Sequence, residues 1–95
     1  QAVKYFYQEL REHDSLAIVS AHQLAGLVKK QKQGTKAWEK YVWILLKKWG
    51  EKDLEKGDYQ EAANFLADLM RVDQMRQSNV GFLNNLDYLA LKWQQ

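Results

Sequence analysis

Cysteine and proline are both absent from the 95 residues. Without cysteine there is no disulfide framework and no thiolate for zinc, iron–sulfur or nucleophilic chemistry, so stability has to come from burial alone, and a reducing compartment is the expected setting. Long apolar runs are missing too. The longest, 42–46, has lysines close on either side and falls far short of the about 20 residues that a spanning helix needs. Residues 1–10 carry polar side chains throughout, unlike a signal peptide. A soluble, cytoplasmic protein with no membrane contact is expected, and a chain opening on Gln1 rather than Met is expected to be a processed product or a piece of a longer protein.

Catalytic motifs are equally scarce. There is no G-x-x-x-x-G-K-[ST] and no G-x-G-x-x-G, and the five glycines are scattered rather than gathered to cradle a phosphate. The two histidines, His13 and His22, are too few for a histidine-built metal site. Glu9 and His13 stand at i, i+4, but no second such pair completes a coordination sphere, so they read as a surface Glu–His pair. Ser15 and Ser20 neighbour His22 without an orienting third group. The expectation is a non-enzyme with no metal, no cofactor and no small-molecule substrate.

What the chain does contain is helical periodicity, since i, i+3, i+4 and i+7 share one helix face. Val3, Phe6, Tyr7 and Leu10 fit that spacing up to a break near His13 and Asp14, where Asp14 or Ser15 serves as the next cap. A second helix to about Gln33 buries Ala17, Ala21, Leu24 and Val28, widened by Leu16 and Leu27. Its small residues, Ala25 and Gly26 among them, favour close packing. Lys29, Lys30 and Lys32 sit in its last turn, and Gly34 takes a left-handed cap.

Thr35 then caps a third helix whose stripe is Trp38, Tyr41, Val42, Leu45 and Trp49, continuing through Gly50 toward Lys56. After a turn at Gly57, Asp58 and Glu61 form the pattern of a capping box. The fourth helix buries Ala62, Phe65, Leu66, Leu69 and Met70 and fades near Gln77, and a fifth carries Phe82, Leu86, Leu89, Ala90 and Trp93. No strand alternation or hairpin signal occurs. The expected fold is all-α, a small antiparallel bundle of four to five helices in one domain, 1–95.

Gly50 and, after six residues, Gly57-Asp58-Tyr59-Gln60-Glu61-Ala62 locally resemble the turn and second-helix start of a tetratricopeptide repeat. The likeness covers about a third of the chain. It departs at Leu69, where that family has a small residue, and in lacking a closing proline after Asp73 or a second copy. A lone repeat cannot stack into that family's concave surface, so no binding residues carry over.

Charge is unevenly spread. The net charge of +2 hides a middle segment, 29–56, with nine lysines against four acids, between two mildly acidic ends. Trp38, Tyr41, Trp43 and Trp49 are interleaved with those lysines. Lysines on phosphates with aromatics for base stacking are the ingredients of sequence-tolerant RNA or DNA binding. The candidate contact residues are Lys29, Lys30, Lys32, Lys36, Lys40, Trp43, Lys47 and Lys48. Trp43 lies off the apolar stripe: it stacks a base, sits under a lysine, seals a protein interface, or is buried by the last helix. The leading expectation is a non-catalytic subunit or adaptor held by protein partners in an assembly such as a nucleoprotein complex. The alternatives are a small subunit contacting a nucleic-acid backbone and an inhibitory bundle that blocks one target protein.

Overall fold

The computed structural model describes residues 2–31 and 33–94, and every regular element among them is a helix: α1 (Ala2–Arg11), α2 (Ala17–Lys29), α3 (Thr35–Glu55), α4 (Tyr59–Gln77) and α5 (Phe82–Trp93). The chain is thus a small all-α bundle, as its apolar spacing predicts. No helix among these residues is long and apolar enough to cross a membrane.

α1 buries Val3, Phe6, Tyr7 and Leu10, the face its spacing defines. The chain then turns at His13, whose φ of +57° is unusual for a residue with a Cβ. Asp14 accepts the Leu16 amide proton at 2.9 Å, which closes the turn ahead of α2; the expected side-chain cap on α2's own amides does not form, since its N-cap position is Leu16. α2 buries Ala17, Ala21, Leu24 and Val28, but Leu16 and Leu27, expected to widen that stripe, are exposed. Gly26 faces open space rather than a close neighbour. α2 also stops at Lys29, earlier than expected. Gly34, at φ +79°, redirects the chain, and the Thr35 hydroxyl donates to the Gln31 carbonyl at 2.6 Å instead of capping α3.

α3 runs through Gly50 as expected, yet a different face is buried. Val42, Trp43, Leu46 and Gly50 point inward, Leu45 and Trp49 are half-buried, and Trp38 and Tyr41 are left largely open. The buried stripe is therefore turned by about one residue, about 100° of helix rotation, from the expected one. The reason lies at Gly50. A Cβ there would come within 3.0 Å of Leu66 Cδ2 and 3.1 Å of Phe65 Cδ2, so α4 approaches the α3 backbone at that point. Leu46 and Trp43, four and seven residues before Gly50, share its side of α3. Phe82 of α5 meets Trp43 edge-on, with centroids 5.5 Å apart.

The short turn at Gly57, φ +101°, folds α4 back along α3. Ala62, Phe65 and Leu69 are buried as expected, and Leu66 is half-buried. Met70 is exposed, while Asp68 and Val72 are buried. α2 packs against both α1 and α5. An aromatic string crosses the core: Phe65 meets Tyr7 at 5.2 Å and Trp93 at 5.5 Å, both edge to face. Fully burying each such ring stabilises the fold by about 1.5–3 kcal/mol.

The capping box expected at α4 does not form. Asp58 is taken by the Arg11 guanidinium and Glu61 by His13, so both carboxylates tie α4 to the end of α1 rather than to α4's own amides. Arg11 also donates to Asp53 at 2.7 Å and to the Tyr7 hydroxyl, joining α1, α3 and α4. Burial, then the hydrogen bond to Asp53, pushes the Tyr7 hydroxyl well above its ordinary pKa. The expected Glu9–His13 pair is replaced as well, because Glu9 accepts from Ser20 of α2.

Candidate functional site

The lysines of the middle segment separate onto different surfaces. Lys36, Lys40 and Lys47 lie on the flank of α3 that faces α4, where Lys40 and Lys47 border a small groove with Asp73 and Arg76. Lys36 borders the adjoining space with Glu39. Lys48 is on the opposite flank, seven residues on from Tyr41. Lys29 and Lys30 are exposed at the end of α2, and Lys32 lies outside the described residues. The expected set is therefore no single continuous face, and two carboxylates interrupt its α3 portion.

Trp43 is only 7% exposed. Of the roles open to it, the structure shows burial by the last helix, through Phe82. A cation does lie over its ring, but it is the Arg76 guanidinium at 5.8 Å rather than a lysine. A ring held in this way offers no open face to a base.

The exposed aromatics are instead Trp38 and Tyr41, at 45% and 43%. They meet edge to face, centroids 5.8 Å apart and planes at 89°. Together with Leu24, Leu27 and Val28 of α2 and Val42 of α3, they border a groove of about 270 Å³ closed at one end by Ala2 and Val3 of α1. Among the described residues, Gln31 is the one amide side chain of its lining, and no charged residue borders it. Sequence reasoning missed this groove because it placed Trp38, Tyr41 and Leu27 in the core. The available signal was that α3 carries large apolar residues on two faces, more than one core contact absorbs.

A second cleft, about 450 Å³, is polar. His13, Glu61, Asn64, Asp68, Arg71 and Lys92 line it. His13 Nδ1 donates to the Trp93 carbonyl at 2.6 Å, Nε2 lies 3.0 Å from Glu61 Oε1, and the imidazole stacks on the Trp93 indole, planes 8° apart. The hydrogen bond to Glu61, followed by that to Trp93, raises the His13 pKa above its ordinary value. Asp68, buried, accepts from Trp93 Nε1 and Lys92 Nζ, each at 2.8 Å. These groups are paired with one another, and both ring nitrogens of His13 are engaged, so the arrangement anchors the end of α5 to α4 and the α1–α2 turn. His22 lies apart, 3.4 Å from Asp87. Among the described residues no three His, Asp or Glu side chains are gathered as a metal site would require.

The fold and these surfaces define a small helical bundle with an open apolar groove between α2 and α3. No protein-family model, no curated protein and no solved structure matches the chain.

Proposed function

We propose that the protein is a non-catalytic binding module, a subunit or adaptor that works by holding a protein partner in the groove between α2 and α3. The observation that carries this reading is the Trp38–Tyr41 pair. Two large rings remain substantially exposed beside Leu27 in a concave apolar setting, although the chain buries other aromatics in its core. Such concave apolar patches mark interaction sites, and tryptophan and tyrosine are enriched among the residues that dominate interface energies.

The test compares the tagged chain with two multiple variants, Trp38→Ala/Tyr41→Ala and Lys36→Glu/Lys40→Glu/Lys47→Glu, in quantitative co-purification from its own host. The reading expects stoichiometric partners that the aromatic variant loses and the lysine variant keeps. Partners retained by the aromatic variant, or a solitary wild-type monomer, would overturn it.

One observation favours a second reading, contact with a nucleic-acid backbone: Lys36, Lys40 and Lys47 share a flank of α3 beside Arg76. Lysines there would act as point charges on phosphates without reading bases. Binding to a labelled single strand or duplex would then fall steeply with salt. Absence of binding at low salt removes this reading. Either way the cytoplasmic assignment made from composition stands as part of the proposal, and fractionation of cells carrying the tagged chain tests it.

A further inference from the structure

We infer that the groove receives the apolar face of an acidic amphipathic helix from a partner protein, which rests on the binding-module reading above and gives its partner a chemistry. Four features of the molecule converge on that occupant.

First, the floor is aliphatic, with Leu24, Val28 and Val42 beneath the aromatic rim. Its volume of about 270 Å³ compares with the about 150 Å³ cavity that holds one benzene. That is room for one or two large side chains, less than a drug-sized ligand fills. Second, no strand edge exists among the described residues, so recognition has to run through side chains, the helix-in-groove mode with anchors at i, i+3, i+4 and i+7.

Third, no charged residue among those described borders the groove itself, and the exposed charges that continue its two helix faces are mainly lysines. Between Asp14 and Glu39 the chain has no carboxylate, and of the lysines in that stretch Lys29 and Lys36 border other spaces. Lys30 is exposed three residues beyond Leu27. On α3, the exposed Lys48 and Lys52 continue the Tyr41 face at i+7 and i+11, ahead of a single acid, Glu55, at i+14. Glu39, the first acid after Asp14, is on another side of α3, bordering the spaces next to Phe82. The stretch from Trp38 to Lys52 is about 21 Å long, which corresponds to about four turns of a partner helix. Acidic residues flanking the anchors would meet the lysine rim, a complementarity that also speeds association.

Fourth, the alternative occupant, a single-stranded nucleic acid, fits less well. Base stacking needs an open ring face, and the edge-to-face contact of Trp38 with Tyr41 takes up a face of one of the two rings. A second copy of the chain is disfavoured because it would bring one lysine rim against another.

The experiment uses three fluorescein-labelled probes: a synthetic helix of about 16 residues with Leu at the i, i+3, i+4 and i+7 positions and Glu elsewhere, its twin with Lys in place of Glu, and oligo-deoxythymidine. Anisotropy is read for the wild-type chain and for Trp38→Ala and Leu27→Ser, both at exposed positions, with thermal unfolding confirming that each variant is folded. The expected result is binding of the Glu helix that weakens with salt, weakens by about tenfold or more in either variant, and is not matched by the Lys twin. No binding of the Glu helix, equal binding of the two helices, or binding indifferent to both variants overturns the inference. If oligo-deoxythymidine binds in its place with the same sensitivity to Trp38→Ala, the occupant is a nucleic acid and the inference fails. Loss of native partners in the Trp38→Ala/Tyr41→Ala variant would still support the module reading in each of these cases, so the two failures are distinguishable.

Discussion

Trp38 meets Tyr41 edge to face, 5.8 Å between centroids, on the rim of an apolar groove rather than in the core. Their neighbour Trp43, five residues beyond Trp38 and so on a different face of α3, is enclosed by Phe82 and Arg76. The two tryptophans therefore have different tasks, and stability measurements separate them. Trp43→Ala should cost about 3–5 kcal/mol, the usual range for emptying a buried aromatic site. Trp38→Ala should cost about 1 kcal/mol or less, since most of what it loses is a partly exposed edge-to-face contact. Urea unfolding of the two variants checks this; equal costs would mean that Trp38 is a core residue after all.

Gly50→Ala should destabilise the fold, against the local preference of a helix interior for alanine by about 1 kcal/mol. The added methyl would stand 3.0 Å from Leu66 and 3.1 Å from the fully buried Phe65 ring. Overpacking of this kind costs about 1–3 kcal/mol, so a net loss of about 1 kcal/mol is expected. A rise in the urea midpoint would show that α4 yields freely at this contact.

His13 makes stability depend on pH. Its pKa is raised in the folded chain by Glu61 first and by the Trp93 carbonyl second, against burial and the positive charge of Arg11. Protonation therefore favours the fold. The contribution is complete below the unfolded value of about 6.5 and is lost as pH rises through the higher folded value. The thermal midpoint should fall between about pH 6 and about pH 8, and His13→Gln should remove that step. A midpoint that rises over this interval would contradict the assigned hydrogen bonds.

The helices themselves were legible because apolar residues at i, i+3 and i+4 leave few other ways to bury them. In α1 and α5, where one face is clearly apolar, the expected and observed core residues coincide almost completely. In α3 they do not. Trp38, Tyr41, Val42, Leu45 and Trp49 form as good a stripe as Val42, Trp43 and Leu46; Val42 is common to both and is buried, and the approach of α4 at Gly50 decides the rest. A glycine in mid-helix, in register with Trp43 and Leu46, was the available sign of close contact.

Asp58 and Glu61 illustrate a second limit. Their spacing satisfies a local capping rule, yet Arg11 and His13, distant in sequence, bind them instead. Asn85, wholly buried with its amide donating to the Val80 carbonyl at 3.2 Å, stands in register with Phe82, three residues before it, and Leu89, four residues after it, but an apolar pattern passes over a polar side chain. The groove was hidden for the same reason as the α3 face: its rim was read as core.

The four tryptophan indole N–H groups report on separate regions of the molecule: Trp38 in the groove, Trp43 against α5, Trp49 beside Tyr7 and Trp93 in the polar cleft. Titrating the ¹⁵N-labelled chain with the acidic amphipathic helix and following these four resonances tests the central claim most directly. The account predicts that the Trp38 signal shifts progressively to saturation while those of Trp43 and Trp93 stay in place. Movement of Trp43 or Trp93 with Trp38 unchanged would contradict it.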